Sequence, residues 1–209
     1  MNLVVVALIS WLVGRTEVTS LNTPPRPGSP MSQLMRSTEE LQACLRREYP
    51  SWSPEADMQK SVARRLIDRS IDYREISRRA LGRNWDRLSD DDRSEFVTDL
   101  SRLIQSRSLS RGLDVGPDLR VHFERESVSE RGTASVYATI LAPPKPNSRS
   151  VEVEYRLLWK GDHWAVYDLL TDGDSLLEGY RAQFDRIIAR ESIAGLLRRM
   201  KRAESRIQE

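Results

Sequence analysis

The chain has 209 residues, 39% of them hydrophobic and 31% charged, which suffices for one domain of ordinary size with length left over at the ends. A formal net charge of +2 is too small to argue for nucleic acid, and the single cysteine, Cys44, excludes an intramolecular disulfide.

Leu3 to Val13, LVVVALISWLV, is an apolar run too short for a comfortable membrane span and of the right length for the core of a signal peptide. Val18 and Ser20 are small enough for a cleavage site after Ser20, but no lysine or arginine precedes the run. Residues 1–20 are therefore expected to be an atypical export signal, the alternatives being an uncleaved anchor and a buried N-terminal strand. The proline-rich segment 21–30, LNTPPRPGSP, reads as a linker and would detach such a strand from any core. A single domain is expected over 31–205.

Met31 to Tyr49 reads as a helix with Leu34, Thr38, Leu41 and Leu45 near one face. Ser53 and Pro54 form a strong start, N-cap then first-turn proline, for a helix carrying Met58, Val62, Leu66 and Ile67. Ile71, Tyr73, Ile76, Ala80 and Leu81 continue at helical spacing into Gly82, a candidate C-cap, with Trp85 just beyond. Ser89 and the three aspartates after it open a fourth helix with Phe96, Val97, Leu100, Leu103 and Ile104 on its apolar side.

The period then changes from helical to alternating. Leu119, Val121 and Phe123 predict one strand, and Ala134, Val136, Ala138 and Ile140 a second that ends at PPKPN, 143–147. Val151, Val153, Tyr155, Leu157 and Trp159 predict a third, turning at Lys160–His163 into a fourth. In that fourth strand Trp164, Val166, Asp168 and Leu170 are assigned to one face, and Ala165, Tyr167 and Leu169 to the other. Ser175 with Glu178 makes a capping box for a helix to about Ala189, and a last helix starts at Ser192 and ends in a basic tail. The order predicts an α+β fold, N-terminal helices against one face of a curved four-stranded antiparallel sheet with C-terminal helices added.

Catalytic chemistry is sparse in this sequence. His122, His163 and Cys44 have no metal-ligand spacing, and there is no glycine-rich phosphate loop. Asp168, placed on an apolar face, has two readings: a general base with a raised pKa, or the partner of an arginine, for which Arg181 on the next helix is the candidate. Arg64-Arg65, Arg78-Arg79 and Arg198-Arg199 are interleaved with acids, as solvated helix faces are, and only the tail from Arg198 to Arg206 keeps a basic excess.

Two motifs carry a resemblance. The first, IDYREISRRALGRNW followed by Asp92-Arg93 and Phe96, is similar to a hydrophobic-Asp-aromatic, Ala-Leu-Gly-x-x-Trp, Arg-x-x-Phe pattern ending in a Leu-Leu pair. The second, VEYRLLWKGDHWAVYDLL with DGDSLLEGYRAQF, is similar to Trp-x-Val-Tyr-Asp followed by Gly-Val-Ser-Leu and Tyr-Arg-x-Gln-Phe. Both, in that order, resemble the MlaC, or toluene-tolerance, family of periplasmic phospholipid-binding proteins. The chain departs from the pattern at Asp174, where valine is usual, at Gly179, where asparagine is common, and at Ser108, which replaces an aromatic.

The resemblance implies a cystatin-like, nuclear-transport-factor-like cone that takes up phospholipid as cargo, with no cofactor, no metal, no chemical step and no nucleic acid. It implies a Gram-negative periplasmic carrier exchanging lipid with an inner-membrane ABC transporter bearing an MCE domain and with an outer-membrane lipoprotein complex. The cavity would be lined from the helices by Leu66, Ile71, Ile76, Leu81, Trp85, Phe96, Leu100, Leu103, Phe184 and Ile188. From the strands it would receive Val136, Ala138, Val153, Tyr155, Leu157, Trp164 and Val166, with alanines at 134, 138 and 165 leaving room. Two other classes stay open: an enzyme on the same cone with Asp168 as base, and a non-transporting adaptor that binds a membrane complex through its basic tail.

Overall fold

The computed structural model describes residues 28–112, 120–141 and 150–208. The expected export signal, most of the proline linker and the PPKPN loop lie outside these residues. Helices α1 (Pro30–Leu45), α2 (Pro54–Asp68), α3 (Tyr73–Leu81) and α4 (Asp90–Gly112) precede the sheet, with a 3-10 turn at Gly82–Arg87. Strands β1 (Arg120–Val128), β2 (Thr133–Leu141), β3 (Val151–Trp159), β4 (Trp164–Thr171) and β5 (Asp174–Ser175) pair antiparallel in chain order, and α5 (Leu176–Gln208) closes the chain. Among the described residues the sheet therefore has five strands rather than four, the fifth being a two-residue strand folded back on Leu170 and Thr171.

Each helix starts where a small polar side chain satisfies a first-turn amide. Ser29 accepts from the Ser32 N–H at 3.2 Å, Ser53 from Ala56 at 3.1 Å, Asp72 from Glu75 at 2.9 Å, Ser89 from Asp92 at 3.1 Å and Ser175 from Glu178 at 3.0 Å. Helix α1 stops at Leu45, short of the expected Tyr49. The continuous helical spacing read across Ile71 is also interrupted. Ser70, Ile71 and Asp72 run alongside β4 instead, with Val166 N–H donating to Ser70 O (2.8 Å) and Asp72 N–H to Val166 O (2.9 Å). This segment pairs the part of the β4 edge that the short β5 does not reach. Gly82 ends α3 with φ 52° and ψ −130°, a conformation open to glycine alone. In α5 the helical path breaks at Ser192, φ 68°, where a separate last helix was expected to begin.

Two β-bulges decide which side chains face which helices. In β4, Asp168 pairs with Arg156 but Val166 pairs with Leu157, so Tyr167 is an extra residue. The alternation expected for β4 is overturned at this point. Trp164, Val166, Leu169 and Thr171 share the face of Tyr155 and Leu157, while Asp168 and Leu170 turn to the opposite face. In β1 the register skips Glu124 in the same way and brings Glu126 opposite Val136.

Buried apolar side chains form two clusters. In one, α1 and α2 pack on the inner sheet face through Leu34, Leu41, Ala63, Phe123, Tyr155 and Leu157. In the other, α3, the 3-10 turn, α4 and α5 pack on one another through Ile76, Leu81, Trp85, Phe96, Tyr180 and Phe184 and meet the sheet at β4. No helix among the described residues is long and apolar enough to cross a membrane.

Two glycine substitutions test this backbone with opposite signs. A Cβ on Gly82 would meet only Arg181 Nη2, at 3.8 Å, so Gly82→Ala is expected to destabilise by about 1–3 kcal/mol through conformation, not collision. Gly179 is helical with open space around it, and Gly179→Ala is expected to stabilise by about 0.5–1 kcal/mol. Urea midpoints of the two variants measure both effects.

Candidate functional site

The expected cavity-lining residues do not gather in one space. Val136, Ala138, Val153, Tyr155, Leu157, Trp164 and Val166 belong to the sheet cluster, with Leu66 packed against it. Ile76, Leu81, Trp85, Phe96, Leu100 and Phe184 belong to the helical cluster, with Leu103 and Ile188 packed against it. Ile71 packs against both and marks the seam between them.

A cleft of about 820 Å³ opens between the 3-10 turn and α5 on the helical cluster. Its size falls within the range of about 300–1,000 Å³ typical of ligand pockets. Leu81, Ile188 and Ala189 supply apolar lining, while Arg83, Asn84, Arg87, Arg181 and Asp185 supply polar groups. A contiguous groove shares Gly82, Arg83 and Arg181 and extends to Arg78, Arg79, Asp86, Leu177 and Glu178. The local fold explains the convergence: the tight turn at Gly82 sends Arg83 back toward α5, and Arg181 stands one helical step into α5.

The arginines of this cleft differ in how firmly they are held. Arg78 and Arg79 both donate to Glu75, at 2.8 and 2.6 Å, and Arg79 lies over the Tyr167 ring at 4.0 Å from its centre. The Arg78 hydrogen bond, with Arg79 beside it, holds the Glu75 carboxyl down at about 2. Arg181 reaches Glu178 only at 3.9 Å, Arg87 donates to Asn84 at 3.4 Å, and Arg83 has no ion-pair partner among the described residues.

Asp168 is not the partner of Arg181. Its bulge-shifted position aims it at the start of α5, where Oδ1 accepts from the Leu169 and Leu177 N–H groups at 2.8 and 3.0 Å. The Ser175 hydroxyl approaches both oxygens, at 3.0 and 2.8 Å, and Arg156 Nη1 stands 3.5 Å from Oδ2. Both oxygens of this buried carboxylate are thus engaged from within the chain, which argues for an anchor of α5 and against a general base. Pairing with Arg181 fails because Asp168 lies before the α5 N-terminus, whereas Arg181 projects from a later turn toward the cleft.

The remaining candidates stay apart. His163 is exposed beside Asp162, His122 lies on β1, and Cys44 is a half-buried thiol whose pKa is pushed up by burial. No group of three or more histidines, cysteines or acids among the described residues is placed to hold a metal ion.

The family model described as MlaC protein matches residues 36–202. The chain belongs to the MlaC family. Among solved structures it resembles the phospholipid-binding protein from Ralstonia solanacearum, in complex with a phospholipid, with a TM-score of 0.61 and 19% identity. That match covers 72% of this chain and 84% of the other. No curated protein matches the sequence. The two motifs that resemble the MlaC pattern divide by burial. Ala80, Trp85, Tyr180 and Phe184 fill the helical cluster, Gly82, Arg83 and Arg181 line the cleft, and Leu81 does both.

Replacing Asp168 by alanine is expected to cost about 3–5 kcal/mol in chemical denaturation, because buried donors at Leu169 and Leu177 lose their acceptor. Arg181→Ala is expected to leave stability within about 0.5 kcal/mol, as for other exposed sites. Glu75 supplies a pH test. Its folded pKa of about 2 lies below the ordinary glutamate value of about 4.3, so its ion pairs stabilise fully above the latter and weaken as pH falls from there toward about 2. The stability gap between wild type and Glu75→Gln is expected to narrow steadily between about pH 5 and about pH 3.

Proposed function

We propose that this protein is a periplasmic phospholipid carrier that buries acyl chains in its apolar interior and shuttles lipid between the outer and inner membranes. Membership of the MlaC family over residues 36–202 carries the reading. A fold shared with a protein solved in complex with a phospholipid supports it, as does the form of the helical-cluster cleft.

The physical requirements of such a carrier are modest. Each methylene withdrawn from water is worth about 0.8 kcal/mol, so eight of them give roughly 6 kcal/mol without any strong headgroup contact. What the protein needs is a dry space that can open. Two apolar clusters meeting at Ile71 suit that need, because parting them leaves each with its own packed core. On this reading the acyl chains enter along the Leu81–Ile188 lining and reach the seam, with Ile71, Ile76 and Leu103 beside them. Export through residues 1–20, delivery to an MCE-domain transporter and exchange with an outer-membrane lipoprotein complex belong to the same proposal. The engagement of both Asp168 oxygens from within the chain favours this reading over the enzyme alternative. In the basic tail Arg199 is bound to Glu191 and Lys201 to Glu95 at 2.7 Å, which ties part of the adaptor alternative's charge to the fold.

The test is mass spectrometry of an organic extract of the protein purified from a Gram-negative periplasm, expected to show co-purifying phospholipid. Delipidated protein whose circular dichroism is unchanged, but which takes up no lipid from vesicles, would overturn the carrier.

A further inference from the structure

We infer that the Arg83–Arg181 cleft is a phosphate subsite, which in the carrier proposed above reads the phosphate of the lipid headgroup. Three observations on different elements lead there. First, five arginines (Arg78, Arg79, Arg83, Arg87 and Arg181) face three carboxylates (Asp86, Glu178 and Asp185) across the joined cleft and groove. Second, the cations are graded. Glu75 fixes Arg78 and Arg79 as a positive wall, while Arg83 has no ion-pair partner and Arg181 only a distant one, so two guanidinium groups retain donors for a ligand. Third, Gly82 lies between them with no side chain, and its Cβ position would sit 3.8 Å from Arg181 Nη2. The turn residue thereby leaves the approach to the Arg181 guanidinium open.

Guanidinium groups match phosphate because two parallel N–H donors meet two oxygens, and the charge persists at any physiological pH. Leu81, Ile188 and Ala189 line the same cleft as these donors, so one space offers both the cation and the apolar surface that a glycerophospholipid's phosphate and hydrocarbon call for. Packing does not account for Arg83 or Arg181, since both are exposed while the apolar residues of their motifs are buried. The subsite gives the carrier a means of preferring phospholipid over uncharged lipid of equal chain length.

Two measurements test the subsite on the full chain, and they separate a free phosphate from a headgroup. In the first, inorganic phosphate is titrated into isotopically labelled protein, and the Arg83 and Arg181 side-chain Nε–H resonances are followed against a chloride control of equal ionic strength. A saturable shift absent from the chloride control is expected, and shifts no larger than those with chloride overturn the subsite. In the second, delipidated protein competes for phosphatidylglycerol and diacylglycerol with identical chains in mixed vesicles, and the bound lipid is counted by mass spectrometry. Wild type is expected to favour the phospholipid by about tenfold or more, the scale of one charge-assisted contact. The Arg83→Gln/Arg181→Gln double variant is expected to lose that preference while taking up diacylglycerol as before, and Arg131→Gln, in the distant β1–β2 turn, to retain it. A double variant that discriminates as wild type does overturns headgroup reading yet leaves the carrier standing. If wild type takes up neither lipid, the carrier reading falls and the phosphate titration alone decides whether the cleft is an anion site.

Discussion

The architecture depends on two carboxylates that β-bulges aim at helix N-termini. A helix start leaves amide donors unpaired and carries a partial positive charge, so an acceptor placed there both satisfies and orients it. In β1 the extra residue Glu124 shifts Glu126 onto the inner face, where Oε2 accepts from the Met31 N–H at the start of α1, at 2.8 Å. In β4 the extra residue Tyr167 shifts Asp168 to the other face, where it accepts from the start of α5. One sheet thereby fixes two helical groups on its two sides. Without the bulges each strand would keep its phase, and both carboxylates would point away from the helices they hold.

The β4 bulge also connects the sheet to the cleft. Tyr167, the residue it adds, leans against the helical cluster and carries the Arg79 guanidinium on its ring. Arg79 binds Glu75, which binds Arg78, so a line of direct contacts runs from the β4 edge of the sheet to the cleft's basic wall. Lys160 in the β3–β4 turn holds Asp72, the cap of α3, at 2.6 Å and ties the same helix to the hairpin tip. The cleft is built on anchored elements on one side and on α5 on the other. Its two lightly held arginines, 83 and 181, stand on opposite banks.

Much of this was legible in the sequence, and what was not has identifiable causes. Ser53-Pro54, Ser89, Ser175 and Gly82 announced helix ends because capping is local chemistry between near neighbours. The apolar alternation of β2 survives intact into the structure, and that of β3 holds from Val151 to Leu157, Trp159 being exposed. The bulges were invisible because Tyr167 and Glu124 are ordinary strand residues, and adding one changes phase without changing composition. That single slip misplaced Asp168, and with it the inferred pairing to Arg181. Ile71 fits a helical spacing as well as a place beside a strand edge, because an apolar residue looks the same in either setting. The cleft escaped because its arginines come from distant segments, and within each segment they resemble a solvated face.

The division of the apolar residues into two clusters bears on how a carrier could open. A single continuous core loses contacts everywhere when a ligand enters, since interiors are packed nearly as densely as organic crystals and respond to small volume changes. Two cores in contact along a seam confine that loss to the seam. In this chain the sheet cluster is held by α1, whose Gln33 side chain accepts from the Trp164 N–H at 2.8 Å, and by α2. The helical group is held to the sheet at β4 by the Asp168 anchor and by the Ser70–Asp72 segment. Across the seam Asp68 of α2 accepts from the Tyr73 hydroxyl and from the Gln105 side-chain amide, each at 2.8 Å. Opening along the seam therefore breaks the two Asp68 hydrogen bonds as well as apolar contact, while the backbone hydrogen bonds at β4 keep their geometry. A lipid carrier on this fold would separate its helical group about β4, and the same β4 bulge that sets the anchor would set the axis of opening.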